Sequence, residues 1–218
     1  MVSLAQALCL RCLVKWGAGV LLLLGLTGPS LADDLDRVRT AAVAAFDQMP
    51  VIRRVSRITD HCGADETVAP DVAYCTTQNM IFVQRDAASR PETAYFVAHA
   101  FGHAVQVRHG VADVALAQIT ARRSEETKLR TWVESQVDCI AGFVLGRAGM
   151  TGTQLTDWFA APPLTGRHWG RDPLRAGPKV TVDLETRNVW FQTGLAGDLR
   201  ACAPGEFTSD LLIAALRR

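Results

Sequence analysis

Little in this sequence points to nucleic acid, to a membrane-embedded domain or to a repeat array. There is no block of like charge: Arg122 and Arg123 stand beside Glu125 and Glu126, and the formal net charge is only +1. Without a basic patch there is no electrostatic footprint for nucleic acid, and that class of partner is set aside. No internal repeat and no low-complexity tract occurs. No uninterrupted stretch reaches the about 20 apolar residues that a membrane span needs. Beyond residue 32 there is no close C-x-x-C pair, which leaves Cys62 and its neighbour His61 short of the further ligands a structural zinc site requires.

What the N-terminus does contain is Arg11 and Lys15, an uncharged apolar run from Trp16 to Leu26, then Gly28, Pro29, Ser30 and Ala32. This is the pattern of a signal peptide over residues 1–32, cut after Ala32. An uncleaved N-terminal anchor is the rival reading, and a lipoprotein is disfavoured because no cysteine follows the run at the position lipidation would require. Removing residues 1–32 leaves 21 Lys+Arg against 22 Asp+Glu, a net charge of −1. Residues 33–218 have the length of one well-packed domain. Export to the periplasm or beyond is the implied location, with no transmembrane domain after signal removal. Of the six cysteines, Cys62, Cys75, Cys139 and Cys202 then remain. An even count in an exported chain favours disulfides, but the spacing leaves all three pairings open.

Helical periodicity runs from Asp33 to Met49 through Leu35, Val38, Ala42, Ala45 and Phe46. Residues 52–69 have no clear period and read as a loop with some extended structure. Val72 to Cys75 and Met80 to Val83 are β-prone runs separated by polar residues, which predicts a hairpin. Ser89 and Pro91 open a helix through Ala94, Val97, Ala98, Phe101 and Val105, ending near His109 and Gly110. A second helical stretch spans about 112–146 and is expected to break or bend near Arg130. Residues 149–178 read as an irregular excursion anchored by Trp158, Phe159 and Trp169. Two further helices are expected around 183–194 and 209–216.

The candidate chemistry starts with His99 and His103. Four positions along an α-helix set them about 40° apart and about 6 Å between Cβ atoms, so both imidazoles can reach one metal ion. Such a pair is also common on a solvated helix face. Glu134 on the next helix, with Asp138 one turn further along the same face, adds the carboxylate that a two-histidine, one-glutamate zinc hydrolase uses, its fourth position left to water.

The stretch from Ala94 to Gln106, AYFVAHAFGHAVQ, resembles the active-site helix of the bacterial neutral zinc metallopeptidase family, whose pattern is H-E-x-G-H-H-x-Q. Three further blocks occur in the family's order. Residues 134–142, ESQVDCIAG, are similar to its E-x-Q-A-D-C-x-A-G segment. Cys62-Gly63 with Tyr74-Cys75 resembles its cysteine-flanked hairpin, and Arg187, Trp190, Phe191, Gly194, Gly197, Asp198 and Cys202 resemble its closing segment. The resemblance implies a mostly helical α+β, zincin-like domain with a short β-hairpin or sheet. It implies zinc ligands at His99, His103 and Glu134, with Asp138 orienting a ligand imidazole. It also implies Cys62–Cys75 and Cys139–Cys202 as the disulfides, and the Met80 to Val83 strand near the metal-site helix as an edge for an extended peptide.

Two departures bear on activity. Ala100 stands where the family has the glutamate that takes the proton from zinc-bound water. Glu92 lies about 12 Å away along the same helix and cannot replace it. A transition-state histidine of the family falls on Thr181 by ungapped counting, with His168 in the 149–178 excursion as a displaced substitute. The resulting expectation is a secreted or periplasmic metallopeptidase-like protein, its metal site kept and its catalytic base absent, with a peptide or protein as ligand. An active hydrolase with an atypical base and a metal-free structural or interaction protein of the cell envelope are the alternatives.

Overall fold

The fold is taken from a computed structural model, which describes residues 31–59, 61–64, 71–164 and 180–217. The first helix, α1 (Leu31–Ala45), presents Leu35, Val38, Ala42 and Ala45 to the core at helical spacing, all buried. The proposed signal segment lies outside the described residues, apart from Leu31 and Ala32 at the start of α1. Three strands come next: β1 (Val51–Val55), β2 (Val72–Cys75) and β3 (Met80–Gln84), in the order β1-β3-β2. β2 and β3 form the expected antiparallel hairpin, Val72 opposite Val83 and Cys75 opposite Met80.

β1 lies inside the stretch read as irregular, and it changes the topology. It pairs parallel with β3, Val51 opposite Met80 and Val55 opposite Gln84. The Met80 to Val83 strand is therefore central, not an edge; β1 and β2 are the edges. The sequence hides β1 because Arg53 and Arg54 interrupt its alternation, which an edge strand with one solvated side tolerates. The sheet separates two apolar clusters. Ile81 and Val83 face the main core with α1 and the later helices. Phe82 packs with Val55, Ile58, Ala64, Ala73 and Cys75 on the other side. The Cys62–Cys75 disulfide fastens the covering loop there, and His61 stacks on Phe82 with ring centroids 4.6 Å apart.

Helix α2 (Thr93–Arg108) is the one expected from 91 to 109, and α3 (Val111–Ala121) and α4 (Glu126–Arg147) continue the chain. The break falls at Arg122 and a short 3-10 turn, Arg123–Glu125, rather than at Arg130. Arg130 stays helical because its Nε and Nη2 donate to Glu126 Oε1 one turn back, at 2.9 and 2.7 Å. The charge is met inside the helix and the stem can be buried. A short α5 (Leu155–Trp158) lies in the excursion, and α6 (Leu184–Leu195) and α7 (Asp210–Ala214) close the chain. Asp183 caps α6, accepting from Thr186 N at 2.8 Å.

Glycines set how closely the helices cross. A Cβ on Gly142 of α4 would collide with the Phe191 carbonyl oxygen, and one on Gly194 of α6 with that of Cys139. These helices therefore pack backbone to backbone, and the Cys139–Cys202 disulfide, across 63 residues, locks the same junction. Closing a loop of that size contributes about 4 kcal/mol by chain-entropy arithmetic. At Gly102 a Cβ would come within 2.9 Å of the Val137 carbonyl oxygen. The absence of a side chain there is what lets α2 and α4 approach face to face. The result is a mostly helical α+β fold, and among the described residues no helix is long and apolar enough to cross a membrane.

Candidate metal centre

Because Gly102 brings α4 against α2, the histidine face of one meets the carboxylate face of the other. His99 Nε2 is 3.5 Å from Glu134 Oε2 and His103 Nε2 is 3.6 Å from Glu134 Oε1. The two imidazoles are nearly perpendicular, with centroids 4.8 Å apart. One ligand atom from each of His99, His103 and Glu134 lies within 4.8 Å of the others, which could hold a metal ion. Zinc bonds of 2.0–2.2 Å in a tetrahedron place neighbouring ligand atoms about 3.4 Å apart. The two histidine-to-glutamate separations are close to that edge, each histidine facing its own oxygen of the Glu134 carboxylate. Nitrogen and carboxylate oxygen are also zinc's usual donors, so the residues fit the ion. His99 and Glu134 are buried and His103 is about a quarter exposed, which opens the site on the His103 side.

Asp138 sits behind His99 and is fully buried. Its Oδ1 is 3.0 Å from His99 Nδ1 and accepts from the Tyr95 hydroxyl at 2.7 Å. Its Oδ2 accepts from Arg187 Nη1 at 2.8 Å. With Nδ1 hydrogen-bonded to Asp138, His99 turns Nε2 toward Glu134, the tautomer a metal ligand needs. The second Arg187 nitrogen, Nη2, is 3.6 Å from Glu134 Oε2. Burial works to lower the His99 pKa, but the hydrogen bonds and charge of Asp138 and Glu134 prevail and raise it above its usual value. Burial, and after it the Asp138 charge, pushes the Tyr95 phenol well up, so it stays a neutral donor. Arg187 keeps its proton despite burial because Asp138, first, and Glu134 face it.

Tyr95 and Arg187 complete the site, and the sequence reading gives neither a role. Each nevertheless leaves a signal. Tyr95 is one turn before His99. Arg187, Phe191 and Gly194 form the buried stripe of α6, and a charged residue in such a stripe implies a buried partner. Two glutamines brace the helices: Gln106 Nε2 donates to Val133 O at 3.2 Å and Gln136 Oε1 at 3.1 Å, and Gln136 Nε2 donates to Cys202 O at 2.9 Å.

Ala100 is buried beside the histidines. Glu92 is at the far end of α2, paired with Arg90 at 3.8 Å; Asp138 is engaged on both oxygens. Glu125 pairs with Lys128, and Glu126, partly buried rather than fully solvated, is held by Arg130. Thr181 is exposed, and His168 lies outside the described residues. The alternative use of Cys62 as a ligand is overturned by its bond to Cys75.

Two histidines one turn apart on one helix thus face a glutamate on the next, a group that could hold a metal ion. Residues 58–159, the segment that contains all three, match the family model described as "Putative neutral zinc metallopeptidase". The match covers just under half of the 218-residue chain. Comparison with curated proteins and with solved structures gave no match.

Proposed function

We propose that this protein binds zinc through His99, His103 and Glu134 and has lost peptide hydrolysis with its general base, so that it acts as a metal-dependent peptide-binding relative of the neutral zinc metallopeptidases. The observation that carries the reading is the contrast at one site: His99, His103 and Glu134 gather ligand atoms within 4.8 Å of one another, while alanine stands at position 100, where the resemblance implies the base. Zinc held by these three residues would supply Lewis acidity toward a carbonyl or a water. The chain's own residues decide whether that water can be used. Asp138 orients His99, and Tyr95 and Arg187 hold Asp138 in place by hydrogen bonds, which supports a maintained ligand geometry without a catalytic carboxylate. General acid–base catalysis is worth about 10² to 10⁴ in rate, and a methyl group supplies none of it.

The two disulfides suit an oxidising compartment. The reading therefore includes residues 1–32 as an export signal and residues 33–218 as one domain in the periplasm or outside the cell. The test is zinc analysis of untagged protein after dialysis against dilute zinc. Wild type should retain one equivalent, and His99→Ala and Glu134→Gln well under a tenth of it. Equal, low zinc in all three would mean that the site is vestigial.

A further inference from the structure

The sheet has one covered edge and one open one. All four residues of β2 are buried, and that strand lies against α2. β1, at the opposite edge, leaves Val51, Arg53 and Arg54 exposed. Val51 is 60% exposed, more than any other large apolar side chain among the described residues. Along a strand the backbone N–H and C=O groups of successive residues point to opposite sides. The Val55 carbonyl accepts from Arg85 N at 2.9 Å, so Val51, Arg53 and Val55 turn their backbone groups toward β3. Those of Ile52 and Arg54 point outward, and no described strand pairs with them. Such an edge is a template for one more strand.

The charge around the edge selects the kind of strand. No acidic residue occurs from Val51 to Thr59, a stretch that carries Arg53, Arg54 and Arg57. Arg85 joins them through its backbone bond to the end of β1, and all four side chains are exposed. Elsewhere arginines meet carboxylates, as Arg90 meets Asp71 and Arg217 meets Asp47. Among the described residues these four meet none; Arg57 has the Thr59 hydroxyl at 3.4 Å, and Asp86, which follows Arg85, forms no ion pair with it. Arg53 and Arg54 are consecutive in the strand, so they project to opposite faces of the sheet. A strand laid along β1 thus finds a guanidinium on each face, within reach of two adjacent acidic side chains. The same charges repel a second copy of this edge, which leaves an acidic partner as its occupant.

We propose that the outer edge of β1 docks an extended, acidic segment of a partner protein, which joins the sheet as a fourth strand. The backbone groups of Ile52 and Arg54 hold its main chain. Arg53 and Arg54 pair with acidic side chains on its two faces, and Val51 gives it an apolar contact. This surface is separate from the metal centre and does not depend on zinc.

The probe is the N-acetylated peptide amide threonine-valine-glutamate-glutamate-valine-threonine, titrated into the isotope-labelled protein. At saturation, amide hydrogen exchange at Ile52 and Arg54 should slow at least about tenfold, while that of Arg53, directed at β3, stays unchanged. The same peptide with glutamine for glutamate should bind about fivefold more weakly, the scale of two exposed ion pairs. Arg53→Gln combined with Arg54→Gln should abolish that difference and keep the wild-type melting temperature, because both side chains are exposed and unpaired among the described residues. Removing zinc should leave peptide binding unchanged. Absence of binding, equal binding of the two peptides by wild type, or binding without protection of Ile52 and Arg54 would overturn the proposal. Binding lost with the zinc would place the peptide at the metal centre and overturn it as well. Attachment to phosphatidylglycerol vesicles that is lost in the double variant, with no peptide bound, would make the arginines a membrane contact and refute the added strand.

Discussion

Replacing Arg187 by methionine removes the cation at the centre of the buried network while keeping most of its apolar volume. The side chain is fully buried and holds Asp138, itself fully buried, at 2.8 Å. Without it, Asp138 keeps the Tyr95 hydroxyl and the His99 ring but loses the guanidinium that faces its Oδ2. Removing one partner of a buried ion pair costs about 3–5 kcal/mol, against a total stability of about 5–15 kcal/mol for a domain. For a domain of this size each kcal/mol shifts the melting temperature by about 2–4 °C, so a loss of about 4 kcal/mol is about 12 °C. The measurement is urea and thermal unfolding of zinc-free wild type, Arg187→Met, Asp138→Asn and the double variant. The double variant should recover more than half of the loss, because the uncompensated charge has gone as well. Saturating zinc should narrow the gap, since its own charge answers the carboxylates. A cost below about 1 kcal/mol for Arg187→Met, or no recovery in the double variant, would refute the reasoning.

Protonation of His99 competes with zinc. Its pKa is raised in the fold, so in the metal-free protein its stabilising contribution is fully present below the unfolded value, about 6.5, and is lost as pH rises through the folded value. Zinc affinity runs the other way, falling as pH drops through that raised value. Competition titrations across pH should place the start of this fall above about 6.5; one beginning below it would contradict the environment described for His99. Gly194→Ala forces a Cβ into the Cys139 carbonyl and should cost about 3 kcal/mol or more in unfolding experiments. Tolerance of that change within about 0.5 kcal/mol would show that α4 and α6 are not in backbone contact.

Local pattern made part of this molecule legible. The α2 histidines are set by 3.6-residue periodicity, and so is the placement of Glu134 and Asp138 one turn apart on α4. The hairpin is set by two β-prone runs and a polar turn. The disulfide pairing was legible only through family resemblance, because three pairings were equally allowed by spacing. Non-local features were hidden. β1 is held by a parallel pairing to β3 that sets Val51 opposite Met80, and its arginines mask the alternation. The helix break moved from Arg130 to Arg122 because a partner at Glu126 neutralises Arg130 within the helix. Arg187 reaches Asp138 across 49 residues, a contact created by the glycine crossing of α4 and α6 rather than by any local rule.

The central claim is that the metal site persists without its base. The most direct test is cleavage of a broad peptide library by wild-type protein carrying one measured equivalent of zinc, with zinc-loaded Ala100→Glu and zinc-treated His99→Ala alongside. Wild type should show no zinc-dependent cleavage and Ala100→Glu a partial gain, within the about 10² to 10⁴ that a general base supplies. Strong cleavage by wild type that disappears in His99→Ala would contradict the claim.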